Sequence, residues 1–150
     1  MVNYNVLLVN LKDVTHKESL ISPSSGNSMN WVLGHILVSR GTILSMLGEK
    51  SVLSDIQSMP YQRGVTPNKG DYLMPRDALV ERLNVSQERI IGGLEDKTPE
   101  WLSSSESDKE IEWQQQPKRD QLLFLHFHEA YHTGQTGLLR RIIGKECAIP

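Results

Sequence analysis

What most constrains this chain is the spacing of its apolar residues, which return every three or four positions in four separate stretches. That interval matches the turn of an α-helix and not the two-residue alternation of a strand. In residues 4–20, Tyr4, Leu7, Leu8, Leu11 and Val14 form one helical face. A second helix is predicted from Met29 to Leu47, with Leu33, Ile36, Leu37, Ile43, Leu44 and Leu47 on its main face and Gly48 as its stop. A third runs from Arg76 to Asp96, carries Leu79, Val80, Leu83, Ile90, Ile91 and Leu94, and ends at Thr98-Pro99. The last starts near Pro117 and reaches about Ile143, just before Gly144. No internal repeat or hairpin signal interrupts this pattern. The expected fold is all-α, a four-helix bundle with a long loop between the second and third helices.

The connections carry their own signals. The stretch Ser22-Pro23-Ser24-Ser25-Gly26-Asn27-Ser28 breaks the first period and supplies cap residues. Residues 49–74, with Pro60, Gly64, Pro67 and Gly70, show no sustained period, and a loop of that length is often functional. Its Tyr61 and Tyr72 either line a cleft or pin the loop to the bundle. Residues 103–116 read as a solvated connection in which Ile111 and Trp113 could dock. Trp31, Val32, Val38 and Met46 lie off the main face of the second helix. A helix apolar on two sides needs two partner surfaces, here a bundle interior and a subunit contact. Arg140, Arg141 and Lys145 complement the negative end of the last helix's dipole and read as a cap rather than an anion site.

Composition narrows the class. At 150 residues, with 38% AVILMFWYC, the chain has the make-up of a single globular domain spanning 1–150. A formal charge of −2 and the lack of a local basic patch argue against nucleic acid as a partner. Cys147, the one cysteine, allows no intrachain disulfide and fits a reducing compartment. The first residues do not read as a signal peptide, and no run approaches the ~18 apolar residues of a membrane helix. The expected location is the cytoplasm.

The chemistry concentrates in Leu125-His126-Phe127-His128-Glu129-Ala130-Tyr131-His132-Thr133-Gly134-Gln135. Residues four apart share a helical face, so His128 and His132 project together and can share one metal ion. His126 lies about 200° round from His128 and cannot join them. The stripe Leu125, His128, His132, Gln135, Leu139, Ile142 is apolar at both ends and polar in the middle. Unpartnered polar groups buried there would cost roughly 1–3 kcal/mol each. A divalent metal would satisfy both imidazoles, with Gln135 orienting a ligand or water. The competing reading is a core histidine pair bonded to backbone or to Glu129, and pattern alone leaves both open. Glu129 points 60–100° off the stripe, so no general base is identified. A catalytic zinc usually has three protein ligands, and His16 and His35 are the remaining candidates for a third.

Asn30-Trp31-x-x-Gly34-His35-Ile36 in an early helix, followed by His128-x-x-x-His132-x-Gly134-Gln135 and Leu139-Arg140-Arg141 in the last, resembles the DinB/YfiT-like family of metal-binding four-helix bundles. The resemblance implies that His35, His128 and His132 hold one divalent transition metal per chain at one end of the bundle, zinc or nickel foremost, iron or copper otherwise. It implies a homodimer, which suits the second apolar face on residues 31–46. Gly134 and Gly137, each about 1 kcal/mol worse than alanine inside a helix, then read as places where a neighbouring helix packs closely or the helix bends. It also implies a small-molecule substrate. Some relatives use the metal to activate a low-molecular-weight thiol such as bacillithiol, mycothiol or glutathione, and others are described as metal-dependent hydrolases. The expected function is therefore a thiol S-transferase or hydrolase acting on small electrophiles in stress or detoxification. The alternatives are a non-catalytic metal- or ligand-binding stress protein, its site closed by a fourth protein ligand such as Gln135 or His16, and an interaction module whose metal site is vestigial.

Overall fold

A computed structural model describes residues 2–24, 26–65, 73–106 and 111–149. They contain helices α1 (Val2–Leu11), α2 (His16–Ser19), α3 (Met29–Met46), α4 (Asp55–Ser58), α5 (Arg76–Glu95), α6 (Pro99–Ser103) and α7 (Lys118–Ile142), with 3₁₀ turns at Met59–Tyr61 and Glu112–Gln115. Among the described residues there is no strand, so the all-α expectation holds. Among the described residues no helix is long and apolar enough to cross a membrane.

The three short helices are where sequence and structure differ, and two of them explain a boundary that was misplaced. Residues 4–20 are not one helix. Asp13 adopts a left-handed conformation at φ 58°, and Thr15 then opens α2 with a capping box in which its hydroxyl accepts from Glu18 N while Glu18 accepts from Thr15 N. Val14 still reaches the core across the break. Thr98-Pro99 stops α5 and also starts α6, because Thr98 Oγ accepts from Trp101 N and proline suits the first turn. Inside residues 49–74, Ser54 and Gln57 form another capping box and nucleate α4. Pro67, Gly70 and Tyr72 lie outside the described residues.

α3 is the central element. Thirteen of its eighteen residues are buried, and it packs against both α5 and α7, while α1 packs against α7. Leu33, Ile36 and Leu37 meet Leu7, Leu11, Leu79, Leu83 and Leu139 in the main core. Full burial of each such side chain is worth about 1.5–3 kcal/mol. A smaller cluster of Ile43, Leu47 and Leu125 gathers Trp101 and Trp113. Trp113 therefore docks as expected, whereas Ile111 stays exposed. Ile91, expected in register on α5, is also exposed, and the buried position on the next turn back is Ser86.

Two further expectations are corrected. The second apolar face of α3 needs no subunit, because the chain covers it: the Trp31 indole N–H donates to Pro60 O, and Val32, Val38 and Met46 pack on the cores. Arg140 does not cap its own helix. It is buried and donates to the carbonyls of Asn10 and Lys12, closing the C-terminal end of α1, and to Glu146 O. Lys145 pairs with Glu18 at 3.0 Å, which ties the C-terminal segment to α2.

Candidate metal centre

α3 and α7 pack side by side, and their contact brings His35 to the pair that α7 projects. His35 Nε2 lies 3.3 Å from His128 Nε2, and His132 Nε2 lies 3.2 Å from His128 Nε2. The three ligand-capable nitrogens fall within 4.8 Å of one another. Nitrogens bound tetrahedrally to an ion at about 2.0–2.1 Å stand roughly 3.3–3.4 Å apart, and the two contacts of His128 have that spacing. His35 is buried, and His128 and His132 are half-buried at the rim. His16 is elsewhere, accepting from Arg76 N at the start of α5, and His126 is exposed beside Asn3.

The other face of each ring decides the protonation. His35 Nδ1 lies 2.7 Å from Tyr61 O, and a carbonyl can only accept, so that nitrogen carries the proton. His132 Nδ1 donates to Gln135 Oε1 at 2.8 Å. Ser39 Oγ lies 3.3 Å from His35 O and 3.2 Å from His128 Nδ1, and its hydroxyl can donate to either. The Nε2 atoms of His35 and His132 are then left as acceptors facing His128 Nε2, which either donates a proton to one of them or, as the other tautomer, leaves three acceptors around one point. The three histidines could hold a metal ion, with Nδ1 partners of the kind that orient ligating imidazoles. Protons are a poor substitute. Burial, reinforced by His132 and His35, pushes His128 down to about 4, and burial also lowers His132.

Gln135 lies behind His132, its Oε1 2.8 Å from His132 Nδ1, rather than facing the shared centre. Glu129 is turned away from the histidines, as its helical angle required. Its carboxylate takes both Arg40 Nε and a second guanidinium nitrogen at 2.8 Å. The aromatic surroundings are denser than the sequence suggested. Trp31 stacks on His35 at 4.7 Å and 11°, Tyr131 meets His132 edge-on at 5.2 Å, and Phe124 lies 6.4 Å from His128.

The residues that sequence reasoning left unexplained are those around His35. Asn30 accepts from the Tyr61 hydroxyl and donates to Met74 O, Trp31 holds Pro60 O, and His35 holds Tyr61 O. Gly34 lies under the Tyr61 ring, where a Cβ would stand 2.2 Å from the nearest ring carbon. The Asn-Trp-x-x-Gly-His pattern is therefore one clamp on the 3₁₀ turn Met59–Tyr61, and that turn returns a carbonyl to orient His35. Tyr61 is fully buried, so it pins the connection instead of lining a cleft. The i, i+1, i+4, i+5 spacing of Asn30, Trp31, Gly34 and His35 was visible, but its partner 26 to 31 residues on was not.

The chain matches no protein-family model and no curated protein.

Proposed function

We propose that this protein is a metal-dependent enzyme built as a DinB-like four-helix bundle, with α1, α3, α5 and α7 as its four long helices and one divalent ion held by His35, His128 and His132. The observation that carries the reading is the convergence of three Nε2 atoms, each on a ring whose Nδ1 lies within hydrogen-bond distance of a protein oxygen. Three imidazoles suit zinc or nickel, and also iron or copper. When bound, such an ion lowers the pKa of a thiol or water beside it and supplies a nucleophile near neutral pH.

The chain's own residues do the rest. Tyr61 O and Gln135 Oε1 take the Nδ1 protons of His35 and His132, and Ser39 Oγ holds the His128 ring, so that all three rings keep Nε2 towards the ion. Trp31, Phe124 and Tyr131 give the rim an apolar lining suited to a small electrophile. Among the described residues no fourth titratable ligand completes the cluster, since Gln135 is engaged by His132 and Glu129 by Arg40. A coordination position left to water or a thiol would favour a catalytic site over a sequestering one. The substrate class is a small electrophile attacked by a low-molecular-weight thiol or by water, in a cytoplasmic detoxification or stress role.

The test is metal content by plasma mass spectrometry on untagged protein, beside a His128→Ala/His132→Ala variant checked for helicity. The expected result is about one ion per chain in the wild type and none in the folded variant, followed by metal-dependent consumption of a thiol against an electrophile such as a chlorinated aromatic. No metal in either protein after incubation with zinc or nickel would overturn the reading.

A further inference from the structure

α5 and α7 both pack against α3, but no comparable packing joins α5 to α7. Between them lies a cleft of about 280 Å³, and none of the three clustered histidines lines it. Ile43 of α3, Ile90, Ile91 and Leu94 of α5 and Leu122 of α7 form apolar walls, and Asn3 and Tyr4 of α1 border it. Its floor is polar, made of Arg40, Gln87 and Glu129. Helical spacing explains the division. Gln87, Ile90 and Leu94 follow at three and four on one face of α5, so an amide stands one turn below an apolar pair. Leu122, His126 and Glu129 follow in the same way on α7, ending on a carboxylate at the same depth.

We propose that this cleft binds an uncharged small molecule with an apolar body and one hydroxyl, an alcohol or a phenol. The floor selects that head. All five guanidinium protons of Arg40 are taken, by both Glu129 oxygens, Leu83 O, Ser86 Oγ and Gln87 Oε1. An anion therefore finds no free donor on the arginine and meets the Glu129 carboxylate. A cation meets a pair that is already neutral. Gln87 Oε1 and Glu129 Oε1 both accept from Arg40 Nη2, at 3.0 and 2.8 Å, so amide and carboxylate stand side by side. Gln87 Nε2 has no partner among the described residues, and each Glu129 oxygen keeps a second lone pair. One donor beside one acceptor matches a hydroxyl, which accepts from Gln87 Nε2 and donates to Glu129. The Arg40–Glu129 pair is complete without the ligand, so the floor is formed in advance. The walls select the body, because covering them removes apolar surface from water. An apolar cavity of about 150 Å³ holds benzene, so this volume suits a molecule of about ten non-hydrogen atoms. The proposal does not depend on a metal being bound.

Titration of the full, metal-free chain with 1-octanol and with octanoate, followed by amide proton–nitrogen correlation spectra, tests it. Octanol is expected to shift the amides of Ile90, Leu94 and Leu122 and the Gln87 side-chain amide saturably, and to leave those of His35 and His132 in place. Octanoate should bind roughly tenfold more weakly or worse, since its charge would face Glu129. Ile90→Trp fills the cleft and should abolish the octanol shifts. Should that variant fail to fold, Gln87→Glu keeps the test alive. It preserves an acceptor for Arg40 but removes the amide donor, and should weaken octanol about fivefold, the worth of one ordinary hydrogen bond. Octanoate binding as tightly as octanol, octanol shifts centred on the histidines, or no saturable shift with either compound would overturn the proposal. So would shifts of the same cleft amides with protein concentration alone, which would give the cleft to a second copy of the chain.

Discussion

His128 and Glu129 are neighbours in sequence, both polar, both on α7 and both turned towards α3, yet their environments differ in kind. Glu129 belongs to a closed network. Arg40 gives it two hydrogen bonds, and the remaining guanidinium protons go to Leu83 O, Ser86 Oγ and Gln87 Oε1. His128 belongs to an open one, in which protein oxygens hold the outer nitrogens and three Nε2 atoms converge on a shared centre. The comparison separates a polar group that specifies packing from one that awaits a ligand. Burial alone does not distinguish them. The hydrogen-bond inventory does.

The contrast can be broken by mutation, and the closed network should show the largest effect. Glu129→Ala leaves the Arg40 guanidinium buried and unpaired, and removing one partner of a buried pair costs about 3–5 kcal/mol. Urea unfolding of the metal-free protein checks this, and a loss below ~1 kcal/mol would mean the pair is not structural. His128→Ala/His132→Ala should show no comparable loss in the same assay. Its defect should emerge only with zinc, which at a hundredfold excess over its dissociation constant stabilises a single-site protein by about 2.7 kcal/mol. That shift is expected in the wild type and absent in the variant.

Acid sharpens the same contrast. His128 sits near 4 in the fold against an ordinary 6.5, and His132 is lowered too, both chiefly by burial. Between those pH values the unfolded chain binds protons that the fold refuses. The metal-free wild type should therefore lose stability as pH falls from about 6.5 towards 4. The double-alanine variant should lack that part of the slope, and identical slopes in both proteins would refute the assignment.

Smaller effects probe the supports. Gly34→Ala forces a methyl into the Tyr61 ring, an overpacking expected to cost about 1–3 kcal/mol and to weaken zinc binding by displacing Tyr61 O from His35. Calorimetry with zinc beside urea unfolding would register both, and unchanged zinc affinity would detach the clamp from the site. Gln135→Leu should leave stability within about 0.5 kcal/mol while reducing metal affinity 10–100-fold, the usual effect of losing an outer-shell partner. An affinity equal to wild type would show that Gln135 does not orient His132.

Much of this was legible because helices advertise themselves locally. The ends of α3 and α7 follow from caps and stops at Ser28, Gly48, Pro117 and Gly144, and the shared face of His128 and His132 follows from a spacing of four. The capping signatures Thr15-x-x-Glu18 and Ser54-x-x-Gln57 were equally present and would have divided the first helix and found α4. Other features had no local signal. Apolar residues on two sides of α3 say that two surfaces are needed but not that the second is Pro60 and Tyr61 of the same chain. The arginine at position 40 looks like any surface arginine until Glu129, Leu83, Ser86 and Gln87 surround it.

By itself, then, the sequence determined the helical class, the paired imidazoles on α7 and the off-face angle of Glu129, because each depends on the 3.6-residue period within one element. Only the tertiary structure decided that His35 meets that pair, that Tyr61 orients it, and that Pro60 and Tyr61 cover the second apolar face of α3. Those are relations between elements 26 to 93 residues apart. They arise from how whole helix surfaces pack, and no local period encodes them.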